Sequence, residues 1–349
     1  MRVRRLETYP VALPFREPYV TATGTLERRE MILIRLVDED GAEGWGDAVP
    51  LSLRGGAPLA EIGAQLDRVA QALPAEQPPR EGLDPPALAA LDAALLDLEG
   101  RRTGEPAWQI LGAGACRPIA CNGTLGAGAP DEVAATAAEL ASGGFETLKV
   151  KVGTGNDRER IRAVRDAVGP AINLRVDANG TWTLDEAAAE LAAMASEVGL
   201  ELAEQPCADL DDLAALRRRV PVPIVADESV ASATDAGRAA ELGACDAATL
   251  KLAKVGGPRA ALRIASLLPC FLSSALDSPL GIAAAAHTAQ ALPGEGFVAD
   301  LAHGLATSGL FADNVAAGDD LRGNSIELTD SPGLGVEIDR DAVERLRIR

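Results

Sequence analysis

The chain has 349 residues, of which 47% are hydrophobic, so it is long enough to bury a large core and is not intrinsically disordered. Its 52 acidic residues outnumber its 33 basic residues, which gives a formal net charge of −19. No cluster of lysine and arginine appears, and this argues against nucleic-acid partners and anionic membrane surfaces. No secretory signal pattern and no run of roughly 20 apolar residues is seen, so we expect neither secretion nor a membrane span.

The first part of the chain predicts an α+β domain. Apolar and polar residues alternate in VRRLETYPVALP, REMILIRLVDEDG and AEGWGDAVP, which predicts an antiparallel meander of three strands. Apolar residues at helical spacing then predict two helices, LAEIGAQLDRVAQAL and PPALAALDAALLDLEGRRTG. Because LGA before Cys116 is typical of a boundary, this domain is expected to span residues 1–115.

From residue 116 to residue 320, β-rich runs alternate with helices rich in Ala, Leu, Glu and Arg. Regular alternation predicts a parallel sheet with right-handed crossovers, and eight predicted strands favour a closed TIM barrel over an open sheet. IACNGTL is expected to be the first of these strands and GFVADLAHG the eighth. Residues 321–349 return to short extended runs, which are expected to pack back on the first domain.

Acidic residues end three consecutive predicted strands: Asp177 in LRVDANG, Glu204 in LELAEQP and Asp227 in IVADES. In a β/α barrel the carboxyl ends of the strands surround the active site. Three carboxylates that face one another need a counter-charge, and an all-oxygen ligand set favours Mg²⁺, with Mn²⁺ as the alternative. Asn179 and Glu228 are expected beside these ligands, although Asn179 would equally suit a plain turn.

Lysines precede and follow the carboxylates. Lys149 and Lys151 alternate with apolar residues in TLKVKV, so both side chains point to the same side of a buried strand. Lys251, in TLKLAK, is expected on the other side of the barrel. Lys254 is expected in a loop, with a contribution to the site as the alternative. Burial and positive neighbours lower the pKa of a lysine, so this pattern predicts a base that removes a proton next to the carboxylate of a small-molecule substrate.

This set of lysines and carboxylates resembles the muconate-lactonizing branch of the enolase superfamily, over essentially the whole chain. The resemblance implies a modified (β/α)7β barrel with an N-terminal α+β capping domain that the C-terminal segment completes. It implies Mg²⁺-dependent removal of the α-proton of a carboxylate through an enediolate, and it allows a homo-oligomer. The implied roles are general base for Lys151 with Lys149 as its neighbour, opposing lysine for Lys251, and Mg²⁺ ligands for Asp177, Glu204 and Asp227.

Within the branch, the segment CFLSSALDSPLGIAAAAHTAQALP is most similar to o-succinylbenzoate synthases. That similarity implies a lyase of menaquinone biosynthesis that dehydrates a cyclohexadiene acid. Ser273 and Ser274 would then bind the succinyl tail, or as small residues would simply let the strand pack closely. The later HGLATSGLF departs from the synthase pattern at Ala306, where Gly is common.

The alternatives within the branch are an N-acylamino-acid racemase, a dipeptide epimerase and a muconate-type cycloisomerase. Dipeptide epimerases typically carry Asp-x-Asp in the region where this chain has only Asp277, and racemases and cycloisomerases usually carry Glu at that position. A non-catalytic binding protein is a further alternative, which the intact set of lysines and carboxylates disfavours.

The remaining expectations concern histidines, loops and thiols. His287 is expected to be structural, and His303 is a lesser candidate for the lining of the site. Residues 21–27 and 51–56 match the mobile loops of the branch, which close over substrate and exclude water. Five cysteines without a CxxC pair are typical of reduced structural thiols, so we expect a cytoplasmic enzyme.

Overall fold

The computed structural model describes residues 2–21, 24–51, 55–294, 296–316 and 323–348. The cap begins with an antiparallel sheet in the order β1-β2-β3, formed by β1 (Val3–Thr21), β2 (Gly24–Asp38) and β3 (Glu43–Ala48). Helices α1 (Leu59–Gln71) and α2 (Pro85–Thr103) and the short α3 (Ala107–Ile110) follow. The predicted meander and both predicted helices are therefore confirmed.

The cap has its own core because its helices bring an apolar face onto the sheet. In α1, Ile62, Leu66 and Val69 recur at helical spacing and are buried in one cluster with Ile32 and Ile34 of β2. Helix α2 is buried on most of its surface, since it lies between β3 and the barrel. Within the described residues, no helix is both long and apolar enough to cross a membrane.

The second part is a curved parallel sheet of seven strands with helices between them, which confirms the predicted barrel class. After β4 (Ile119–Ala120) the spatial order follows the sequence order of β5 (Gly123–Leu125), β6 (Thr147–Lys151), β7 (Asn173–Asp177), β8 (Leu202–Glu204), β9 (Ile224–Ala226), β10 (Ala247–Leu250) and β11 (Cys270–Leu272). The connecting helices are α4 (Pro130–Ser142), α5 (Asp157–Val168), α6 (Leu184–Val198), α7 (Leu210–Arg217), α8 (Ala233–Leu242), α9 (Leu252–Val255), α10 (Pro258–Ala265) and α11 (Pro279–Gln290).

The prediction of a regular eighth strand at GFVADLAHG is wrong in extent. Residues 296–298 form a 3₁₀ turn, and only His303 and Gly304 pair with neighbouring strands. His303 forms a parallel bridge with Cys121, and Gly304 forms one with Ser273. These two residues therefore join the two edges of the seven-stranded sheet and close the barrel with minimal pairing.

The predicted first barrel strand, IACNGTL, is split into β4 and β5. Strand β4 leaves the barrel sheet and pairs antiparallel with β12 (Ser325–Ile326) of the C-terminal segment. That segment then forms α12 (Arg340–Arg345) and contacts the cap, where the amides of Ala12 and Ile348 form backbone hydrogen bonds between its end and β1. The domain boundaries at residues 115 and 320 stay predictions. All five cysteines are free.

Candidate active site

Seven charged side chains meet at the carboxyl ends of the barrel strands, and we call them the lysine–carboxylate centre. Strand pairing aligns Lys151 with Asp177 and Asp177 with Glu204, so these residues lie at one level of the barrel. The three carboxylates are at most 1% exposed. The members of the centre are Lys149, Lys151, Lys251, Lys254, Asp177, Glu204 and Asp227.

Two lysines of β6 bind the first two carboxylates. The Nζ atom of Lys149 lies 3.0 Å from both carboxylate oxygens of Glu204 and 3.3 Å from Oδ2 of Asp177. Lys151 donates to Oδ2 of Asp177 over 2.7 Å and to Oδ1 of Asn179 over 2.6 Å. The Lys149 side chain is 9% exposed and that of Lys151 is 26% exposed, so Lys151 is the one that faces the mouth of the barrel.

The surroundings push the pKa values of these two lysines in opposite directions. Burial acts to lower the pKa of Lys149, but the charges of Glu204 and Asp177 outweigh it, and its pKa is raised. Burial lowers the pKa of Lys151, and the neighbouring charge of Lys149 adds to this effect against the attraction of Asp177. Lys149 is therefore a fixed cation, whereas Lys151 is the lysine suited to act as a base.

Two further lysines bind Asp227 from the other side. Lys251 forms a short ion pair with Oδ2 of Asp227. Lys254 donates to Oδ1 of Asp227 over 2.8 Å and also contacts the Asp227 carbonyl oxygen. The expectation that Lys254 lies in a loop is wrong, and its contacts favour the alternative that it contributes to the site. The single turn of helix α9 after Lys251 brings Lys254 onto the same carboxylate.

The carboxylates carry the chemistry of a site for a hard divalent cation. Burial acts to raise the pKa of Asp177, but Lys151 and Lys149 outweigh it and hold the pKa below its usual range, so this group is ionised. Burial raises the pKa of Glu204, and the charges of Asp177 and Asp227 add to the effect against that of Lys149. Oxygen-only donors on three adjacent strand ends suit Mg²⁺.

The carboxylates presently hold ammonium groups. In the described part of the chain, no three Asp, Glu, His or Cys side chains converge as ligands of one ion. To bind a cation, Asp177, Glu204 and Asp227 would replace some of their ammonium contacts by contacts with the cation. Their donor chemistry fits Mg²⁺, and their assignment as its ligands stays a prediction.

Gln205 supports the centre and was missed by the sequence analysis. It follows Glu204 with a positive φ of 38°, which turns its side chain back towards the next strand. Its Oε1 accepts hydrogen bonds from the backbone amides of Asp227, at 2.7 Å, and Ser229, at 3.3 Å, while its amide donates to the carbonyl oxygen of Cys207. Gln205 therefore fixes the backbone that carries Asp227, and the only sequence signal was its position after a strand-end carboxylate.

The predicted substrate residues after β11 form a closed turn. The Ser274 hydroxyl donates to Oδ2 of Asp277 over 2.8 Å and accepts from the amides of Leu276 and Asp277 and from the hydroxyl of Thr307. Ser273 is buried beside Gly304, where the barrel closes. These contacts support the packing interpretation of both serines over the interpretation as ligands of a succinyl tail.

The histidines lie outside the centre. The Nδ1 atom of His303 accepts from the Leu272 amide over 3.0 Å, and burial together with the charge of Arg175 lowers its pKa to about 4. Neutral His287 joins α11 to the cap, because its Nδ1 accepts from the Trp108 amide and its Nε2 lies 3.2 Å from the Leu334 carbonyl oxygen. Both roles are structural. The predicted mobile loops, residues 21–27 and 51–56, lie partly outside the described residues.

Comparison with known families agrees with this geometry. The family model described as the mandelate racemase/muconate lactonizing enzyme N-terminal domain matches residues 4–112, and the model described as enolase C-terminal domain-like matches residues 132–342. The chain belongs to the mandelate racemase/muconate lactonizing enzyme branch of the enolase superfamily. The resemblance inferred from the lysines and carboxylates is thereby confirmed at the level of the branch.

Relatives in this branch have more than one activity. The chain is 33% identical to a hydrophobic dipeptide epimerase of Enterococcus faecalis over 96% of its own length and 99% of that protein. It is 43% identical to an o-succinylbenzoate synthase of Thermobifida fusca, over 50% of its own length and 56% of that protein. A solved structure of the Enterococcus faecalis epimerase with Mg and the dipeptide L-Leu-L-Tyr superposes with a TM-score of 0.90 at 30% identity, covering 96% of this chain and 99% of that one.

Proposed function

We propose that this enzyme moves the α-proton of an amino-acid carboxylate whose nitrogen is in an amide, so that it epimerises a dipeptide or racemises an N-acylamino acid. The observation that carries the proposal is the placement of Lys151 and Lys251. Lys151 ends β6 and Lys251 follows β10, so they flank the carboxylates of β7, β8 and the β9 end from opposite sides. A substrate between them would present opposite faces of its α-carbon to two amines.

Each lysine then has a distinct role. With substrate bound, uncharged Lys151 would take the α-proton from one face, and the ammonium group of Lys251 would return a proton to the other face. The reverse direction exchanges these roles. Lys149 would not take part in the transfer, because Glu204 and Asp177 hold it as a cation. Its charge acts instead on Lys151, whose lowered pKa favours the uncharged form that a base requires.

The charge of the centre favours an anionic ligand. With Lys151 uncharged as the base, three ammonium groups face three carboxylates, so a bound cation would supply the excess of positive charge. Asp177, Glu204 and Asp227 would hold Mg²⁺, which when bound would polarise the substrate carboxylate and stabilise the negative charge that develops on it. In a buried site such preorganised charges stabilise the developing negative charge more strongly than they would in water.

The comparisons support this function over the lyase expected from the sequence. Similarity to a dipeptide epimerase extends over almost the whole length of both chains, whereas the synthase match covers about half of each chain. The absence of a second Asp beside Asp277 favours N-acylated substrates over those with a free ammonium group, and Asp277 is itself engaged by Ser274 and the Ala275 amide. N-acylamino acids are therefore the substrates to test beside dipeptides.

The dehydration catalysed by o-succinylbenzoate synthase is the second candidate, favoured by the higher identity within the matched half. Lys151 would remove the α-proton of the cyclohexadiene acid, and the C–O bond would break as the hydroxyl leaves with a proton as water. Lys251 would stay protonated and stabilise the negative charge on the carboxylate. This reaction needs one base only, so it makes no use of a second lysine that can exchange protons.

The deciding experiment incubates the enzyme with Mg²⁺ in D₂O with panels of dipeptides and N-acylamino acids, and follows α-deuteration by NMR and inversion by chiral chromatography. Exchange with inversion is the expected result. Inversion should be lost in Lys151→Ala, which keeps exchange from one isomer only, and EDTA should abolish both exchange and inversion. A parallel assay follows the ultraviolet absorbance of the cyclohexadiene substrate of o-succinylbenzoate synthase. Rapid loss of that absorbance without exchange on either panel would overturn the epimerase proposal in favour of the lyase.

A further inference from the structure

Lys254 is the most enclosed cation on its side of the centre. Its ammonium group has three N–H donors. They reach three oxygen atoms of the protein: Oδ1 of Asp227, the carbonyl oxygen of Asp227, and the carbonyl oxygen of Thr249 at 3.3 Å. The side chain is 11% exposed. Lys254 is thus saturated by fixed acceptors, and it holds both the carboxylate and the backbone of Asp227.

Lys251 differs from Lys254 although both bind the same carboxylate. Its ion pair is with Oδ2 of Asp227, and its side chain is 16% exposed. The two residues lie one helical turn apart, and the Lys254 amide donates to the Lys251 carbonyl oxygen over 2.8 Å. If Lys251 moves to a substrate, Asp227 therefore retains an ammonium partner.

The same division occurs on the opposite side of the barrel. Lys149 is the enclosed cation that holds Glu204 and Asp177, and Lys151 is the more exposed lysine beside it. Each side of the centre thus has two lysines on a shared carboxylate, one of them less exposed than the other. The two less exposed lysines differ in that burial lowers the pKa of Lys254, whereas the charges of Glu204 and Asp177 raise the pKa of Lys149 against burial. On the β6 side the two lysines alternate along a strand, whereas on the β10 side they are three residues apart on a helical turn.

We propose that Lys254 is a positioning residue that binds and orients Asp227, including when Asp227 holds the cation, so that Lys251 is released to act at the substrate. Without Lys254, Oδ1 and the carbonyl oxygen of Asp227 would lose the ammonium group that binds them in a buried site. Lys251, the other lysine on this carboxylate, would then be held there instead of moving to the substrate. This assignment rests on the proposed function, since it gives Lys251 a role on one face of the α-carbon. It adds to that function, because it predicts that proton exchange on the Lys251 face can be reduced without an equal effect on the Lys151 face.

The test replaces Lys254 with Met, which keeps the length of the side chain and removes its charge. Deuterium incorporation is measured separately from each enantiomer or epimer of the substrate, because each presents its α-proton to one lysine. We expect exchange on the Lys251 face to fall at least about tenfold more than exchange on the Lys151 face. An equal fall on both faces would indicate a purely structural role and would overturn the proposal, as would no fall.

A second readout does not depend on the reaction. Trace acetylation with acetic anhydride in the presence of Mg²⁺, followed by peptide mass spectrometry, gives the ratio of Lys251 to Lys151 labelling. In Lys254→Met this ratio should fall at least threefold, since Lys251 is then held by Asp227, and an unchanged ratio contradicts the proposal even if the enzyme proves to be a lyase. Lys254→Gln, which retains a donor without charge, replaces the Met variant if that one fails to fold. Arg263→Met removes an exposed cation from α10 and is the matched control.

Discussion

Lys151 and Asn179 are joined by a hydrogen bond of 2.6 Å that links two neighbouring strand ends. Asn179 has a positive φ of 48°, and its amide donates to Oε1 of Glu228 over 3.1 Å. Its backbone amide also donates to Oδ1 of Asp177. The asparagine therefore orients the lysine that we assign as a base, and a plain turn role does not account for all of these contacts.

Replacing Asn179 with Ala should loosen Lys151 without removing it. We expect exchange on the Lys151 face to fall about 10- to 100-fold, because the amine loses one of its fixed partners and its orientation. Exchange from the opposite isomer of the substrate reports on Lys251 and serves as the internal control. Equal loss for both isomers would contradict an orienting role for Asn179.

Single substitutions of Lys151 and Lys251 should separate proton exchange on one face of the α-carbon from exchange on the other. Lys151→Ala should abolish exchange from one isomer and Lys251→Ala exchange from the other, each by about 10²- to 10⁴-fold, which is the usual contribution of a general base. Each variant should retain measurable exchange on its intact face. If either substitution eliminates exchange from both isomers while the protein stays folded, the two-base assignment is wrong.

Removal of one carboxylate charge should weaken metal binding. Asp227→Asn keeps the size of the side chain but removes a negative charge, so the affinity for Mn²⁺, measured by calorimetry or by electron paramagnetic resonance, should fall at least about tenfold. Glu204→Gln should act in the same direction. Glu241→Gln, on the exposed surface of α8, is the control and should bind Mn²⁺ like the unaltered protein. Normal affinity for Mn²⁺ in both variants would refute the assignment of Asp227 and Glu204 as metal ligands.

Gly257 should tolerate no side chain, because it lies where the cap helix α2 meets the loop after Lys254. Its φ is 107°, and an added Cβ atom would lie 2.7 Å from Cβ of Asp92 and 3.2 Å from Cα of Ala89. Gly257→Ala should lower the free energy of unfolding by about 1–3 kcal/mol, as overpacking and backbone strain do. Gly237→Ala, in an open helical position, should be neutral or stabilising by up to about 1 kcal/mol in the same denaturation experiment.

The buried Asp47 should make stability depend on pH. Burial and the neighbouring charge of Asp277 raise its pKa to about 7, although Ser278 donates two hydrogen bonds to it and Arg29 lies close enough to interact. In the unfolded chain Asp47 loses its proton at about pH 4, but in the folded protein it does so only at about pH 7. The folded protein therefore loses stability as the pH rises between these two values, and at pH 8 the ionised Asp47 destabilises it.

Asp47→Asn removes this ionisation. Its stability relative to the unaltered protein should therefore improve by roughly 2–3 kcal/mol between pH 5 and pH 8, measured by urea denaturation at each pH. Asp67→Asn, at an exposed position of α1, should show no such trend. A relative stability that is flat with pH would mean that Asp47 ionises normally in the folded protein.

The positions of Asp177, Glu204 and Asp227 could be predicted because parallel strands end at one level, so residues that end consecutive strands must lie together. The roles of Lys254 and Gln205 could not, because each depends on a local backbone conformation. A single helical turn carries Lys254 back to Asp227, and a positive φ turns Gln205 towards the next strand. The spacing of these residues along the sequence does not predict either backbone conformation.

Ser274 and the eighth strand show a different limit. The pattern after β11 resembles a substrate-binding segment, but the hydroxyl of Ser274 is used within its own turn, which depends on a Leu276 φ of 65°. Likewise the alternation in GFVADLAHG suggests a full strand, whereas closure of the barrel needs only His303 and Gly304. In both cases the tertiary surroundings decide between two conformations that the local sequence allows.

The pairing of residue 347 with Val11 has a consequence for how the protein is made on the ribosome. Strand β1 is synthesised long before residues 346–348, so part of its outer edge receives its partner only when that later segment emerges. Until then the nascent cap carries an unpaired strand edge, which is a site where chains aggregate. Translation products that stop before residues 346–348 would therefore keep that edge open, whereas chains that contain this segment cover it.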